Sequence, residues 1–478
     1  MANRKQQTTY MGEWWLPERP DQVLNGTLTV GPHYPELELY DRASSHAGGA
    51  SEPFEPPVIH GLSMGTKLTL LTNVQTDAPA AGKGEHRVLH RRLIVGTVLI
   101  GDSHLREEAV RFNRASLRLT YLDEWVNRSP YNWEAGPPES LQVVDDLANL
   151  TASVPGCEIV LGRTWRSHFN RLADAGFNSH EVIELRLDER VPLNELEYQF
   201  VRPLEQLLTL AAGFHSKALD LLVGNDDGDV LAWELTAHSV RRRRPDQDQV
   251  ERPVVRPHMR FGMNSNGYPP DIDFGDLVPS WFELQARLSG VCDLIFSLRS
   301  DSDGYLQQQL FTIASAVEGL HRGLNPQLEE RTANDRARNT AILAAVQENC
   351  PEHHEWLRDV IGNAHRKSYA FRIQELLQEA GEVMVGVLGD HDKWFRKLRD
   401  VRNELGHVLS SKTTVDQMVG MLSSALLLAE AVLLRRLGFT EAECRRSLDY
   451  HWERENVGAL VKKGFPEWFP DSVKTRAR

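Results

Sequence analysis

The chain has 478 residues, and its 54 Lys and Arg residues are outnumbered by 67 Asp and Glu residues, giving a formal net charge of −13. This acidity speaks against a protein whose whole surface wraps nucleic acid, because such binding needs a net positive field. The length allows two or three domains, and the 41% hydrophobic and 25% charged residues are typical of globular proteins rather than disordered or membrane-embedded ones.

Cysteines and apolar segments bear on the compartment. The four cysteines stand far apart and form no CxxC pair, which argues against a disulfide framework and a zinc ribbon (Cys157, Cys292, Cys350 and Cys444). The N-terminal segment contains no apolar run that could be the core of a signal peptide. In the most apolar segment, residues 415–434, Asp416 and Glu430 leave an uncharged stretch shorter than the ~20 residues that cross a membrane. We predict a cytoplasmic protein without a membrane anchor, and a buried helix over this segment.

Period-two patterning dominates from residue 26 to about residue 237. Short β-branched and leucine-rich runs are separated by Gly, Pro and Asp; they are residues 27–30, 36–40, 67–74, 91–101, 116–122, 182–187 and 230–237. This spacing predicts antiparallel strands in a sandwich or barrel-like domain. One helix is predicted over residues 196–212, where apolar residues recur at helical spacing and Gly213 follows.

The pattern changes near residue 280. Residues 239–276 are rich in Arg, Pro, Asp and Gly, as in a linker or an irregular domain edge. Helical periodicity follows in residues 280–298, 304–324, 337–348, 371–388, 391–407 and 413–438. We therefore predict an α+β chain. It has a β-rich N-terminal domain (residues 1–280), an all-α bundle of five or six helices (281–455) and a loosely ordered C-terminal tail (456–478).

The segment WFRKLRDVRNELGH, residues 394–407, carries the most informative pattern. Its apolar residues recur every three or four positions, which predicts an amphipathic helix with these side chains facing the core: Trp394, Phe395, Leu398, Val401 and Leu405. Residues 393–402 also hold five basic side chains and one acidic one, in a chain of opposite overall sign: Lys393, Arg396, Lys397, Arg399, Arg402 and Asp400. This patch suits attraction of phosphate, although a solvated helix face is the commoner meaning of a charge run alone.

Arg402, Asn403 and His407 lie at the end of this helix. On a regular helix, residues five apart are turned by about 140°, so Arg402 and His407 would not share a face. Gly406 is predicted to end or distort the helix and so let the imidazole turn toward the arginine. Arginine holds phosphate through forked hydrogen bonds, and a neutral imidazole exchanges protons near neutral pH, so the pair suits metal-free phosphodiester cleavage.

The spacing alone is weak evidence, because Arg163/His168 and Arg446/His451 repeat it in the same chain. The competing interpretation is a helix-terminal histidine that caps carbonyl groups, with Arg402 in a surface salt bridge.

Arg402, the polar Asn403 and His407, inside a small helical domain, resemble the signature of the HEPN superfamily. The segment FTIASAVEGLHRGL, residues 311–324, resembles the first helix of abortive-infection HEPN domains, in which a glutamate, here Glu318, often stands near the site. The segment GEWWLPERPDQVLNGTLTVGP, residues 12–32, resembles the N-terminal domain of ApeA-type phage-defence proteins. The resemblance covers nearly the whole chain.

The resemblance implies an anti-phage protein that acts by abortive infection, as a metal-independent HEPN endoribonuclease controlled by its N-terminal domain. His407 would be the general base or acid, Arg402 would stabilise charge on the phosphate, and Asn403 would orient the His407 imidazole or the phosphate. Glu318 would support the site, and the basic helix would contact RNA phosphates through Lys393, Arg396 and Arg399. The partners implied are RNA, a phage-derived trigger and a second copy of the chain in a homodimer or higher oligomer; no metal or other cofactor is expected. The RNA class and the trigger stay open.

A second hypothesis is a non-catalytic protein whose β domain binds a ligand or protein and whose helical bundle serves only to dimerise. Three features carry similar alternatives. Glu318 is equally well explained as a helix-packing residue paired with Arg322 one turn on. The run Arg241 to Arg244 fits an exposed loop better than an RNA contact. Trp14 and Trp15 could stack on a base or sugar, but core packing of at least one is expected.

Overall fold

The computed structural model describes residues 8–31, 34–42, 54–77, 80–81, 88–129, 131–134, 140–143, 148–170, 174–226, 233–237, 255–256, 258–261, 272–300, 304–362, 365–408, 413–450 and 453–469. The chain forms two compact units, Met1–Val255 with Met259–Pro279, and Arg256–His258 with Ser280–Arg478. The first unit is β-rich and the second is helical, which confirms the predicted α+β fold class.

Six antiparallel strands close a barrel in the first unit. They are β1 (Thr8–Leu16), β2 (Arg19–Val30), β3 (Glu36–Arg42), β4 (Val58–Ser63), β5 (Thr66–Asp77) and β7 (Val88–Gly101), with a short β6 (Ala80–Ala81) beside β7. The barrel order is β7, β3, β2, β1, β4, β5, and β5 pairs back with β7. Alternate side chains fill the interior, because successive residues of a strand point to opposite faces. Trp14, Leu28, Leu37 and Leu68 are each 0% exposed.

Trp14 packs inside the barrel because a glycine on the neighbouring strand leaves room for its ring. A Cβ atom added at Gly61 would lie only 2.2 Å from that ring. The expected core packing of one of the two adjacent tryptophans is therefore confirmed.

Strand β7 also joins the barrel to a second sheet. That sheet contains β8 (Arg111–Leu119), β11 (Leu150–Val154), β12 (Cys157–Asn170), β13 (Asp174–Pro192), β14 (Ala218–Gly224) and β15 (Trp233–Ala237), and a separate hairpin is formed by β9 (Tyr131–Glu134) and β10 (Ser140–Val143). Residues 88–94 of β7 pair with β3, whereas residues 97–101 pair with β15. Gly96 lies between these stretches, where a Cβ atom would come within 2.9 Å of the Thr72 Cβ.

Helical structure in the first unit is short. After α1 (Leu122–Val126), α2 (Leu193–Leu196) continues through a π-helical turn (Glu197–Val201) into α3 (Arg202–Ala212). Gly213 ends α3 at φ 73°, a left-handed conformation that favours glycine. The helix predicted over residues 196–212 is therefore confirmed, and it begins a few residues earlier.

Nine α-helices lie from residue 272 onward in the described part of the chain. They are α4 (Phe274–Ser297), α5 (Leu306–Leu324), α6 (Ala333–Asn349), α7 (His354–Ile361), α8 (Tyr369–Ala380), α9 (His391–Val408), α10 (Val415–Arg436), α11 (Glu441–Asp449) and α12 (Glu453–Gly464). Among the described residues, α10 is the one helix long and apolar enough to cross a membrane, yet 72% of its apolar window is buried inside the protein. The prediction of a buried helix here is confirmed.

Four charged side chains form a buried cluster around α10. Arg256 Nη2 lies 2.7 Å from a carboxylate oxygen of Glu430 and 2.6 Å from one of Glu453, and Arg299 bonds both carboxylates as well. Glu430 is 0% and Arg256 1% exposed. Burial alone would raise the pKa of Glu453, but Arg256 and then Arg299 outweigh it and lower the pKa to about 2. Removing one member of such a cluster leaves a buried charge short of a partner.

Two expectations for the C-terminal half are wrong. The bundle has more than six helices, because the short helices α7, α11 and α12 lack a long apolar pattern of their own. The predicted tail from residue 456 is ordered as far as residue 469: Val461 is buried, and the rings of Phe465 and Trp468 stack at 3.7 Å. Glycines permit this packing, since a Cβ at Gly464 would come within 2.9 Å of the Asp416 carbonyl oxygen in α10. Residues 241–249 of the predicted linker, including Arg241 to Arg244, and residues 470–478 lie outside the described residues.

Candidate active site in the helical unit

Helix α9 places the candidate residues on the surface of the helical unit. Its apolar residues form the buried face as predicted: Trp394 0%, Phe395 6%, Leu398 0%, Val401 0% and Leu405 4% exposed. The indole N–H of Trp394 donates to the Ser424 hydroxyl of α10 at 2.8 Å, which fixes the rotation of α9. Arg402 and Asn403 therefore lie beside the core-facing stripe and not within it.

The Arg402 guanidinium is held by residues of three helices. Its Nη2 donates to Glu318 Oε2 of α5 at 3.0 Å, and its Nη1 donates to Asn403 Oδ1 at 3.2 Å. The guanidinium carbon lies 5.7 Å from the ring centroid of Tyr369 at the start of α8. Its Nε is buried and has no hydrogen-bond partner among the described residues. The side chain is 37% exposed, so the group is both positioned and accessible.

Glu318 joins two arginines. Besides Arg402, it accepts a hydrogen bond from Arg322 Nη2 at 2.7 Å, one turn along α5. Its side chain is 12% exposed, so both ion pairs are shielded more than ordinary surface pairs. Glu318 therefore pairs with Arg322, as the helix-packing interpretation predicts, and also contacts Arg402, beside which a supporting role at the site stays a prediction.

The ring of Tyr369 packs against the Arg402 guanidinium group. Its hydroxyl donates to the Ala314 carbonyl of α5 at 3.0 Å. Burial, and then the negative charge of Glu318, raise the pKa of Tyr369 well above its usual value. The phenol therefore stays neutral and contributes a fixed aromatic face on which the cation rests.

Gly406 does not end the helix, contrary to the prediction. Helix α9 continues through Gly406 and position 407 to Val408. The glycine instead allows close packing with α5, since a Cβ there would lie 3.3 Å from the Phe311 ring. On this helical backbone, positions 402 and 407 are turned by about 140° around the axis, whereas positions 403 and 407 are one turn apart. The side chain of His407 lies outside the described residues.

The other predicted phosphate contacts are partly engaged by carboxylates. Lys393 Nζ lies 3.2 Å from Asp390 Oδ2, and Arg399 Nη2 lies 2.7 Å from Asp400 Oδ1. Arg396 is exposed, with its guanidinium carbon 5.9 Å from the Phe395 ring centroid. These pairs are at the surface and bind weakly, so a polyanion could displace their carboxylates at little cost.

A second group of charged residues near the site was missed by the sequence reasoning. Arg372 Nη1 of α8 lies 3.2 Å from His321 Nδ1, and His321 Nε2 lies 2.6 Å from Glu375 Oε2. Because arginine can only donate, Nδ1 must accept, so the buried His321 is the tautomer that donates from Nε2. Glu329 links this group to the site, 2.5 Å from Arg372 Nη2 and 3.9 Å from Arg322 Nε. The signal available in the sequence was the pair His321–Arg322, three and four residues after Glu318.

No group of three or more potential metal ligands occurs among the described His, Cys, Asp and Glu residues. All four cysteines are free, and Cys350 is exposed.

Comparison with known proteins identifies both units. A family model described as ApeA N-terminal domain 1 matches residues 9–248, half of the chain, and one described as Apea-like HEPN matches residues 311–443. The chain belongs to the ApeA family. The HEPN match includes Glu318, Tyr369 and Arg402, and the two ApeA-family domains support an anti-phage defence protein of the nuclease type. No curated protein and no solved structure matches the chain.

Proposed function

We propose that this ApeA-family chain is an endoribonuclease that cleaves RNA by attack of a ribose 2′-OH on the adjacent phosphodiester, and that it acts in abortive infection. The observation that carries the proposal is the Arg402 guanidinium, held by Glu318 at 3.0 Å and resting on Tyr369, on the helix that leads to position 407. A half-exposed guanidinium fixed in this way has N–H groups left for the oxygens of a phosphate.

In this mechanism His407 takes the proton of the 2′-OH or gives one to the leaving 5′-oxygen. The 2′-oxygen forms a bond to phosphorus while the bond to the 5′-oxygen breaks, which leaves a 2′,3′-cyclic phosphate and a free 5′-hydroxyl. Arg402 stabilises the additional charge on the phosphate oxygens, and Asn403 orients the phosphate or the imidazole. Lys393, Arg396 and Arg399 contact neighbouring phosphates. The reaction needs a 2′-OH and is therefore specific for RNA.

We further propose that two copies pair to build each site, in the cytoplasm. Positions 402 and 407 do not share a face of the regular helix α9, so Arg402 of one copy and His407 of another would meet more easily than the two residues within one chain. The N-terminal unit would hold the nuclease inactive until a phage-derived trigger binds it.

Mapping of RNA ends in infected cells tests the reaction. We expect wild-type cells to accumulate RNA fragments with cyclic-phosphate ends, and His407→Ala to lose them, because proton transfer by one group contributes about 10² to 10⁴-fold. The matched control is His391→Ala, a histidine at the first residue of the same helix, which should leave cleavage unchanged.

Unchanged growth inhibition and unchanged RNA ends in His407→Ala would contradict the nuclease proposal. The helical unit would then serve only to bind or to dimerise.

A further inference from the structure

A cavity of about 500 Å³ opens at the end of the barrel where β1 ends and β2 begins. Its lining includes the aromatic side chains Trp14, Trp15 and Phe54 and the cations Arg19 and Arg91. Ligand pockets in proteins typically enclose about 300–1,000 Å³ and are lined mainly by apolar and aromatic groups with a few fixed polar ones. The cavity therefore has the size of a small-molecule site, and its lining combines aromatic and aliphatic side chains with four polar or charged ones.

Two hydrogen-bond donors of the lining lack a partner in the part of the chain that the structure describes. Trp14 Nε1 and Arg91 Nε are both buried, and neither has a hydrogen-bond partner among the described residues. Trp14 is 0% exposed and its ring is fixed in the barrel core beside Gly61. Both groups can only donate, so a molecule that satisfies them must offer acceptor atoms.

The aromatic side chains supply flat faces beside these donors. The Arg91 guanidinium carbon lies 4.7 Å from the centroid of the Phe54 ring, in a cation–π arrangement. Trp15 meets the edge of the His104 ring at a centroid distance of 5.0 Å, which holds its indole in place. Aromatic faces of this kind stack on planar heterocycles, and arginine pairs with phosphate or carboxylate.

The charges of the lining residues determine which sign of charge a ligand should carry. Arg19 and Arg91 face one carboxylate, Asp21, which is exposed. In a chain whose net charge is −13, this excess of cations at one opening is a local reversal of sign. An anion is therefore favoured over a cation or a neutral molecule of the same shape.

We propose that the open end of the barrel binds a planar aromatic anion of the size of a nucleoside monophosphate. The heterocycle stacks among Trp15 and Phe54, and the anionic group and the acceptor atoms bind Arg91 and the Trp14 indole N–H. Such a molecule can be a free mononucleotide or one nucleotide of a single-stranded RNA, because both present the same base and phosphate.

Titration calorimetry of the full-length protein tests the proposal, with AMP as the probe and with adenosine and inorganic phosphate as its separate halves. We expect AMP to bind, and each half to bind at least tenfold more weakly. Arg91→Gln should weaken AMP binding at least tenfold. The matched control is Arg92→Gln, which alters the next residue of β7, an exposed one that pairs with Glu38 on the other face of the strand.

Absence of AMP binding by the wild type at millimolar concentration would overturn the proposal, as would equal affinities of Arg91→Gln and Arg92→Gln. If thermal unfolding shows that Arg91→Gln does not fold, the exposed lining residue Arg19 serves instead, as Arg19→Gln. Competition between AMP and a short single-stranded RNA would identify a strand as the occupant, and binding of AMP without such competition would identify the free nucleotide. Both results support the proposed chemistry.

Discussion

At the scale of single residues, the decisive contact is the ion pair between Arg402 and Glu318. A guanidinium that is 37% exposed would sample several rotamers without a partner, and the carboxylate restricts it to one orientation. Glu318 is therefore expected to act on the reaction through Arg402, as a positioning residue. Its negative charge should have an opposite effect on substrate binding, because in the proposed reaction it would repel the phosphate that Arg402 attracts.

Glu318→Ala should separate these two effects. We expect kcat for RNA cleavage to fall about tenfold to a hundredfold, because a small displacement of a catalytic group is that costly, while KM falls because one negative charge is removed. Steady-state kinetics on the purified, triggered protein gives both constants. Arg322→Ala is the control, since it removes the other partner of Glu318 and leaves the pair with Arg402 intact. An equal loss of kcat in both variants would mean that Glu318 matters only for packing.

Sequence patterns predicted some of these residues and missed others. Arg402, Asn403 and Glu318 were found because each stands in a short segment with a distinctive context. The group around His321 was not found, because its residues come from two helices and a turn. His321 and Arg372, which contact each other, stand 51 residues apart in the sequence. The role of Gly406 was misjudged for a related reason: a glycine near a helix end indicates termination, and only the position of Phe311 in α5 shows that it permits close packing.

At the scale of elements, the π-helical turn after α2 and the helix α3 that follows it each carry one acidic group with altered titration. Burial raises the pKa of Glu197 to about 7. Burial also raises the pKa of Glu205 to about 7, although its carboxylate accepts a hydrogen bond from the Ala218 backbone N–H. Glu197 Oε1 has no hydrogen-bond partner among the described residues. Both carboxyl groups are therefore protonated in the folded unit at a pH at which the unfolded chain has lost the proton.

The sign of the pH dependence follows from these raised values. The folded state binds protons more tightly than the unfolded state, so the contribution to stability is fully present below about pH 4.5 and is lost as the pH rises through about 7. We expect Glu197→Gln to raise the free energy of unfolding of the β-rich unit by about 1–3 kcal/mol at pH 8, with little effect at pH 4.5. Glu195→Gln, at an exposed position of α2, is the control. Calorimetric scans at the two pH values measure the difference, and a gain of equal size at both would contradict it.

Element length did not by itself decide the success of prediction: β5, β7, α9 and α10 were predicted over most of their length, whereas β12 was not predicted and β13 was predicted only over residues 182–187. Strands such as β5 and β7 and helices such as α9 and α10 carry enough apolar residues for their period to be recognised. Closure of the barrel could not be predicted from the period of apolar residues. It depends on pairing of β5 with β7 and on the irregularity at Thr72, whose φ of 56° is unusual for threonine. Helix α12 was predicted as a tail because its apolar stripe is short, with Val457 and Val461 as its buried residues, and because part of its packing on α10 depends on glycines.

At the scale of the whole molecule, the pairing of two copies is open to a direct test. If Arg402 and His407 of one site come from different copies, a heterodimer of an Arg402→Ala chain and a His407→Ala chain contains one complete site. We expect each homodimer to be inactive and the heterodimer, purified through two different affinity tags, to recover about half of the wild-type rate. An inactive heterodimer would show that each site lies within a single chain.

For the whole molecule, the acidic net charge excludes fewer modes of nucleic-acid binding than it first suggests. It argued against an extended nucleic-acid surface, and the basic residues of α9 are indeed partly paired with Asp390, Asp400 and Glu318. In the proposed endoribonuclease, a substrate phosphate would have to compete with these carboxylates. Loose contact with RNA would therefore be discouraged, whereas a strand whose phosphate also binds Arg402 in a complete site would gain a further contact that helps to displace them.

The buried cluster around Glu430 sets a limit on how the protein can be divided. Arg256 precedes the point near residue 280 at which composition suggests a cut, yet it supplies one of two guanidinium groups to Glu430 and Glu453 inside the helical unit. A fragment that starts at residue 280 would keep both carboxylates and lose half of their counter-charge. Excised HEPN fragments should therefore begin upstream of residue 255. If a shorter fragment aggregates, we expect the cause to be the loss of Arg256 and not a property of the catalytic residues.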